Sequence, residues 1–365
     1  MPARRTIAAA ALAAAAVFLF LWLRPAAPPP LLRLTGPTMG STYTISYHGA
    51  GAPAAAQMQG EVQAILGEVD AAVSTWRSDS ALARFNAASA DPAGMCMDMP
   101  RAALDLAQHA LLLWHESGGA FDATLLPALQ AWGFTHSNAP ALPSPAPDAA
   151  QLASLRQRTG MAHLRVQGQQ LCKSAPIHVE FNAIAAGYAI DRSAARFAQL
   201  GVMNHLIEVT GEIRGSGTRP GGAPWRVGIE APLDGARQAQ RIVPLSGMAL
   251  STSGSYRNWR EVDGQRRGHI LDARTLTPVQ HRLASVTVAA PLAMHADGLS
   301  TLLMALGEEK GYTYAAERGI AALFVIPAAK GDNGDNSGDG AFTIRATPAF
   351  EKTFPPQPQK GETTP

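Results

Sequence analysis

Cysteine is nearly absent from this chain of 365 residues, which contains only Cys96 and Cys172. The two residues form neither a CxxC pair nor the spacing of a metal-binding cluster, so nothing indicates a cysteine-based metal site. A disulfide between them can form in an oxidising compartment. We nevertheless expect two separately buried thiols.

Charge of either sign is also scarce, because charged residues make up 16% of the chain and 30 Lys and Arg against 28 Asp and Glu leave a net charge of +2. No basic stripe with interleaved aromatic residues is present, which argues against a nucleic-acid partner. The glycine-rich segment GEIRGSG at residues 211–217 lacks the G-x-G-x-x-G spacing of a dinucleotide fingerprint. No Rossmann domain is therefore predicted.

Apolar residues are plentiful at 47%, which in a chain of this length is typical of a globular protein with a sizeable core. Short strand patterns with Gly-rich turns alternate with a few long amphipathic helix patterns, at residues 58–73, 102–116, 185–197 and 294–307. The sequence predicts an α+β fold, with largely antiparallel sheets and packed helices in two lobes around a cleft.

The two ends of the chain differ from this middle. Arg4 and Arg5 precede an uncharged run, Thr6 to Leu23, that is longer than the usual signal-peptide core and near the lower limit for a membrane span. Basic residues before the run favour an N-terminus inside the cytoplasm and the remaining chain outside. Because RPAAPPP is a poor cleavage site, we interpret residues 1–30 as an uncleaved anchor, rather than an export signal, with a stiff proline linker. Residues 31–350 would form the folded domain and residues 351–365 a disordered tail.

The stretch from Ser251 to Pro278 carries the densest set of reactive side chains. Its opening STSGSY offers small hydroxyl residues around Gly254, and we expect a loop suited to binding a phosphate. The Asp263–Gly264 pair predicts a tight hairpin turn, after which GHILD should return as a strand. An imidazole on that strand, His269, is a plausible general base, although a lone histidine is more often satisfied by its neighbours.

A second pair of candidate residues lies on the predicted helix at 294–307. Asp297 and Thr301 are four residues apart, so their oxygens share one face of that helix near its first turn. Two hard oxygen ligands that leave room for phosphate oxygens are typical of a magnesium site in a nucleotide-binding protein. The spacing alone is more often a helix cap or a solvated pair.

Several motifs together resemble one known family. STSGSY followed by GHILDARTLTPV is similar to the signature of the ApbE family, the FAD:protein FMN transferases. The similarity continues, in order, through GPTMGSTYTI, STWRSDSALARFN, GGAFDATLLPALQAWGF, EFNAIAAGYAID, WRVGIEAP and ADGLSTLLMALG. It covers the chain from about Gly36 to the last strands.

The resemblance implies a role for each matching residue. His269 would be the general base, and the metal would be held by the Ala183 carbonyl with Asp297 and Thr301. The expected FAD contacts are Met39, Ala120, Phe121, Asp122, Glu180, Ala186 and Ile270. At two of these positions the chain departs from the family pattern, because Glu180 replaces an Asp and Ala186 replaces a Lys. Trp76 could be a stacking surface for FAD, although a tryptophan is more often part of the core.

The resemblance also implies an activity. We expect Mg²⁺-dependent transfer of FMN from FAD, the substrate, to a Thr or Ser hydroxyl of an acceptor flavoprotein, with release of AMP. A subunit of a membrane redox complex is one candidate acceptor. With water as the nucleophile, the same site would be an FAD pyrophosphatase, and a third reading is a non-enzymatic flavin carrier. The protein would lie at the bacterial inner membrane, with its catalytic domain on the periplasmic side.

Overall fold

The structure is a computed structural model and describes residues 29–90, 94–134, 145–233, 238–256, 258–328 and 342–356. The predicted membrane anchor and all but the first residues of the predicted tail lie outside these ranges. No helix of the described ranges is long and apolar enough to cross a membrane.

The secondary structure mixes short strands with a few long helices. The strands are β1 (Leu32–Thr38), β2 (Ser41–His48), β3 (Met95–Asp98), β4 (Leu164–Gln167), β5 (Gln170–Lys173), β6 (Asn204–Val209), β7 (Glu212–Ser216), β8 (Trp225–Glu230), β9 (Ala239–Leu245), β10 (Met248–Gly254), β11 (Trp259–Val262), β12 (Gln265–Gly268), β13 (Leu271–Asp272), β14 (Thr277–Pro278), β15 (Ser285–Ala290), β16 (Ala321–Pro327) and β17 (Phe342–Ala346). The helices are α1 (Ala55–Val73), α2 (Ala81–Ala87), α3 (Arg101–Glu116), α4 (Leu126–Ala131), α5 (Ala149–Arg156), α6 (Asn182–Gln199), α7 (Ala293–Glu317) and α8 (Pro348–Thr353).

An eight-stranded sheet in the order β1-β2-β6-β7-β10-β15-β16-β17 forms the centre of the molecule. Each neighbouring pair of these strands is antiparallel. The predicted α+β class with largely antiparallel sheet is therefore confirmed.

Both faces of this sheet are covered, which explains why all six residues of β15 are buried. Ala249 and Val288 point into the main core, where α1, α3, α6 and α7 pack. Their sequence neighbours Leu250 and Ala289 point the other way, into a second core with β8, β9 and Phe350 of α8. Alternation along a strand thus places successive residues in different cores.

A third, smaller core lies apart from the sheet and defines what we call the small lobe. On one side it contains Trp132, directly after α4, together with residues of that helix. On the other side it contains Val262 of β11, Leu271 of β13 and Leu276, which directly precedes β14. The indole Nε1 of Trp132 donates a hydrogen bond to the Leu276 carbonyl at 2.8 Å. The packing joins segments more than a hundred residues apart in sequence.

The β11–β12 hairpin in this lobe confirms the predicted turn. Asp263 and Gly264 adopt φ values of 51° and 71°, the paired left-handed conformation of a type I′ turn. The predicted strand after it is wrong in extent, because Gly268 ends β12 and only Leu271 and Asp272 continue GHILD as a strand, β13. His269 and Ile270 precede it, so the predicted alternation does not orient the histidine.

Cys96 and Cys172 form a disulfide bond between β3 and β5, where they are directly opposite each other. The prediction of two separately buried thiols is therefore wrong. The sequence separation of 76 residues gave no sign of the strand pairing that brings the two together.

The predicted tail boundary at residue 350 falls inside α8. Thr347 caps this helix by accepting the Phe350 amide, and Phe354 directly after it is buried. The packed domain therefore extends at least to Phe354, and residues 357–365 lie outside the described ranges.

A close contact between α6 and α7 gives a stability prediction. A Cβ atom at Gly187 would lie 2.5 Å from the Ala293 carbonyl oxygen, so Gly187→Ala must push the two backbones apart. We expect a loss of roughly 1–3 kcal/mol in the free energy of unfolding, measured by urea titration. The matched control is Gly60→Ala in α1, where a Cβ meets nothing within 4 Å. That variant should gain up to about 1 kcal/mol. Equal effects of both substitutions would contradict the assigned contact.

Candidate active site

Two carboxylates, Asp122 and Glu180, meet where the turn after α3 contacts the segment before α6. The Glu180 amide donates to the Ala123 carbonyl at 2.8 Å, which joins the two segments. The side chain of Glu180 accepts from the Asn182 amide at 2.9 Å. Asp122 accepts from the amide of Thr124 at 2.7 Å and from its hydroxyl at 2.5 Å. The structure therefore brings two of the predicted FAD contacts together.

Burial changes the protonation of this pair. Glu180 is 8% exposed, and burial raises its pKa to about 7, with a further contribution from the negative charge of Asp122. The hydrogen bond from Asn182 acts in the opposite direction. Burial also raises the pKa of Asp122, against the hydrogen bonds from Thr124. Two nearby acids in a dry environment favour the binding of a cation or of hydroxyl donors.

Asn86, at the end of α2, forms hydrogen bonds to the backbone that directly precedes Glu180. The Asn86 amide group donates to the Val179 carbonyl and accepts from the Val179 amide, both at 2.8 Å. Next to it, the buried Lys173 donates to the Phe85 carbonyl at 2.9 Å. These bonds fix the backbone directly before Glu180. The sequence did not predict either residue, because an Asn in a helix gives no sign of a distant backbone partner.

Asp297 lies at the contact between α6 and α7 and is 5% exposed. Its Oδ2 accepts from the Gly187 amide at 3.2 Å. In a regular helix that amide would pair with the carbonyl of Ala183, four residues earlier. The carboxylate of Asp297 therefore lies beside the Gly187 amide, one helical turn after Ala183, the residue of the predicted metal-binding carbonyl.

A ladder of hydroxyl groups connects β10 to α7. Ser251 donates to Asp297 Oδ1 at 3.4 Å, and Ser253 lies 2.8 Å from the Ser300 hydroxyl and 3.2 Å from that of Thr301. The predicted phosphate loop is wrong in form, because Ser251 to Gly254 belong to β10 in the central sheet. Alternation along this strand directs Ser251 and Ser253 toward the metal ligands predicted on α7.

Other acidic residues surround Asp297. Asp191 of α6 accepts from the Ala293 and Met294 amides at 2.9 and 3.0 Å and so caps α7, and it also forms an ion pair with Arg214. Burial is the main cause of the raised pKa of Asp297, and the charges of Glu212 and Asp191 add to it. The pKa of Glu212 is raised by burial as well.

These oxygens suit a hard cation. Among the described residues, no group of three or more His, Cys, Asp or Glu side chains is arranged to hold a metal. The predicted set instead combines one carboxylate, one hydroxyl and one backbone carbonyl, from Asp297, Thr301 and Ala183. Hard oxygen donors with few protein ligands are how Mg²⁺ is bound when phosphate groups complete its coordination. A cation here would also offset the cost of the buried carboxylate.

His269 lies directly after the β11–β12 hairpin. Its amide and its ring Nδ1 each lie 3.2 Å from the Asn258 carbonyl oxygen. A carbonyl can only accept, so the ring bond requires the proton on Nδ1 and leaves Nε2 unprotonated in the neutral imidazole. This is the tautomer that a general base needs.

Met39 lies in the turn between β1 and β2, at the edge of a groove of about 560 Å³. Residues of α1 and the segment Ser74 to Arg77 complete its walls. Trp76, which the sequence left undecided between a stacking surface and the core, is 50% exposed and lines this groove. A core position for Trp76 is therefore wrong, and an aromatic ring is available for stacking.

The remaining predicted FAD contacts are mostly apolar and buried. Phe121 and Ala186 belong to the main core, and Ala120 and Ile270 pack against it. Phe121 also donates its amide to the Ser117 hydroxyl at 3.1 Å, which fixes the turn that ends at Asp122. Ala186 supplies no charge at the position where the family pattern has a Lys.

The raised pKa of Glu180 gives a prediction on pH dependence. Between its ordinary value of 4.5 and about 7, the folded state binds more protons than the unfolded state, so stability falls as pH rises through this window. Because glutamine does not titrate, Glu180→Gln should remove this loss. Between pH 4.5 and 8, its free energy of unfolding should rise by roughly 2–3 kcal/mol relative to that of the wild type. Urea unfolding at both pH values measures the difference. The exposed Glu317→Gln serves as control, and an unchanged slope in Glu180→Gln would contradict the assigned burial.

Comparison with known proteins identifies the family of the chain. The ApbE family matches residues 39–324. The FAD:protein FMN transferase of Klebsiella pneumoniae (strain 342) is 38% identical over 304 residues, covering 82% of this chain and 85% of the relative. The corresponding protein of Salmonella typhimurium is 37% identical over 312 residues, covering 84% of this chain and 87% of the relative.

Solved structures give the same result. The apo form of the flavinyl transferase ApbE from Pseudomonas stutzeri superposes with a TM-score of 0.79 at 43% identity, covering 90% of this chain and 98% of that one. The flavin transferase ApbE from Vibrio cholerae superposes with a TM-score of 0.78 at 34% identity, covering 90% of this chain and 100% of that one. The chain therefore belongs to the ApbE family.

Proposed function

We propose that the protein transfers FMN from FAD to a Thr or Ser hydroxyl of an acceptor protein in a Mg²⁺-dependent reaction that releases AMP. The coarser assignment, a flavin transferase with FAD as substrate and a flavoprotein as acceptor, follows from the family and from its relatives. One observation carries the finer proposal. The buried Asp297 carboxylate accepts from the Gly187 amide, one helical turn after Ala183, and the hydroxyl ladder connects it to Thr301.

The reaction is a phosphoryl transfer within the diphosphate of FAD. The acceptor oxygen forms a bond to the FMN phosphorus, and the bond from that phosphorus to the AMP oxygen breaks. The AMP oxygen keeps the electron pair of the broken bond. Mg²⁺ bound by Asp297, Thr301 and the Ala183 carbonyl would supply neutralisation of the diphosphate charge.

His269 would take the proton of the attacking hydroxyl. The bond from Nδ1 to the Asn258 carbonyl holds the ring in the tautomer that accepts at Nε2. General base catalysis of this type contributes on the order of 10²–10⁴-fold in rate. The groove at Met39 and Trp76 and the Asp122–Glu180 pair would hold the remaining parts of FAD.

Water could replace the acceptor hydroxyl at the same site, and the protein would then be an FAD pyrophosphatase. A flavin carrier would bind FAD without turnover. Incubation with FAD, Mg²⁺ and an acceptor domain separates the three functions. Transfer gives a fluorescent acceptor protein and AMP, hydrolysis gives free FMN with AMP, and a carrier gives neither.

The proposed location is the bacterial inner membrane, with residues 1–30 as anchor and linker and the catalytic domain in the periplasm. Arg4 and Arg5 before the uncharged run support this orientation. The Cys96–Cys172 disulfide is a second support, because such bonds persist in oxidising compartments such as the periplasm. A subunit of a membrane redox complex would be accessible there as acceptor.

The first prediction of the proposed function concerns the metal. Asp297→Asn keeps the size of the side chain and removes its charge, so it should abolish Mg²⁺-dependent consumption of FAD while the melting temperature remains near that of the wild type. Asp98→Asn, an exposed carboxylate on β3, is the matched control. Full activity of Asp297→Asn at ordinary Mg²⁺ concentrations would refute the metal assignment.

The second prediction separates binding from chemistry at His269. His269→Ala should still bind FAD, because the groove and both carboxylates remain, but flavin transfer should fall by roughly two orders of magnitude or more. FAD binding, melting temperature and acceptor labelling are measured on one preparation. The control is His163→Ala, at an exposed histidine. A His269→Ala variant that melts early and binds FAD weakly would indicate a structural histidine instead.

A further inference from the structure

A short segment, residues 279–283, leads from β14 to β15, and we call it the strap. At its start, the Val279 amide donates a hydrogen bond to the Ile270 carbonyl at 3.0 Å. Ile270 directly follows His269, the proposed base, and is itself one of the predicted FAD contacts. The strap is therefore bonded to the backbone that carries His269.

The middle of the strap lies against a break in α7. Gly307 has φ 79° and ψ −177°, far from helical values, so α7 consists of two helical segments that meet there. A Cβ atom at Gly307 would lie 2.6 Å from Cδ2 of the His281 ring. The imidazole therefore occupies the space that the absent side chain leaves. The predicted metal ligands Asp297 and Thr301 belong to the first of the two segments.

His281 forms a hydrogen bond to the end of that first segment. The last carbonyls of a helix have no amide partner within the helix. One of them, the Met304 carbonyl, lies 2.7 Å from His281 Nε2. Because a carbonyl only accepts, Nε2 is the donor. Met304 is three residues after Thr301, so the bond is made on the turn of α7 next to this predicted metal ligand.

Glu308, the first residue after the break, joins the second segment of α7 to the strap. Its Oε1 accepts from the Arg282 amide at 3.3 Å, and its Oε2 accepts from the Leu283 amide at 3.2 Å. Oε2 also lies 3.7 Å from Nδ1 of His281. The side chains of His281 and Glu308 are 18% and 19% exposed, so both are largely shielded from water.

The strap thus contacts two separate parts of the proposed catalytic machinery. One end is bonded to the backbone next to His269, and the middle is bonded to the helical turn next to Thr301. The relative position of these parts matters, because a misplacement of about 1 Å between reacting groups can lower a rate roughly a hundredfold.

We propose that His281 is a positioning residue for flavin transfer, which fixes the metal ligands predicted on α7 relative to His269. The proposal rests on the proposed function, since it concerns the geometry of the same reaction. His281 acts through the Met304 carbonyl. The role therefore requires a hydrogen-bond donor at the place of Nε2, and a donor on a shorter side chain does not suffice.

Two amide variants of the full chain test this proposal. The amide nitrogen of His281→Gln reaches the place of Nε2 and can donate to Met304, whereas the shorter side chain of His281→Asn does not reach it. We expect His281→Asn to lower kcat for flavin transfer roughly tenfold or more, with the KM for FAD within about twofold of the wild type. His281→Gln should keep kcat within about threefold of the wild type.

Metal binding gives a readout that does not depend on turnover. Mn²⁺ is titrated into each variant with FAD present and followed by electron paramagnetic resonance. The Kd should be roughly tenfold weaker in His281→Asn than in the wild type, because residues that orient metal ligands affect metal affinity on this scale. In His281→Gln it should remain near the wild-type value.

The matched control is Thr347→Val, which removes another hydrogen bond from a side chain to a carbonyl. The Thr347 hydroxyl donates to the Ile320 carbonyl at 2.7 Å, at the start of α8. This helix packs into the second core, on the other face of the central sheet. The control should lower the melting temperature and leave both kcat and the Mn²⁺ affinity unchanged.

Equal kcat and equal Mn²⁺ affinity in His281→Asn and His281→Gln would overturn the proposal. Loss of the cooperative melting transition in both variants would assign His281 to the fold alone and would overturn it as well. A wild type that transfers no flavin would refute the proposed function instead. The difference in Mn²⁺ affinity between the two variants would then still decide whether His281 positions the predicted metal ligands.

Discussion

The contact between α6 and α7 at Gly187 is the constraint on which the site depends. Because Gly187 has no side chain, the first turn of α7 can approach the α6 backbone closely. The Gly187 amide then donates a hydrogen bond to Asp297. The same approach lets Asp191 accept the first two amides of α7. The close approach of α6 and α7 therefore fixes both the N-terminus of α7 and the position of the buried Asp297 carboxylate.

Burying the charged form of Asp297 costs free energy unless a positive charge lies nearby. Burial and the neighbouring Asp191 and Glu212 all favour the protonated form of Asp297. In the described ranges, the basic side chain of this region, Arg214, pairs with Asp191 rather than with Asp297. A divalent cation at Asp297 would stabilise the charged form, and phosphate oxygens would complete its coordination.

Much of the fold could be predicted from local pattern. The amphipathic helix pattern at residues 58–73 and the Asp263–Gly264 turn depend on neighbouring residues, and the structure has both. The site residues were predicted from the family motifs, which compare whole segments. Local pattern could not reveal strand pairing, so the Cys96–Cys172 bond was missed. It also read STSGSY as a loop, although β10 pairs with both β7 and β15 there.

His269 lies at the boundary between two separately packed bodies. The residue after it, Ile270, packs against the main core, whereas Leu271 belongs to the core of the small lobe that Trp132 joins together. The metal ligands predicted on α7 belong entirely to the main body. In the proposed mechanism, the distance from His269 to the reacting phosphorus would therefore depend on how the small lobe packs on the main core. In that mechanism, a substrate that contacts both lobes would also fix the position of His269 relative to the metal ligands predicted on α7.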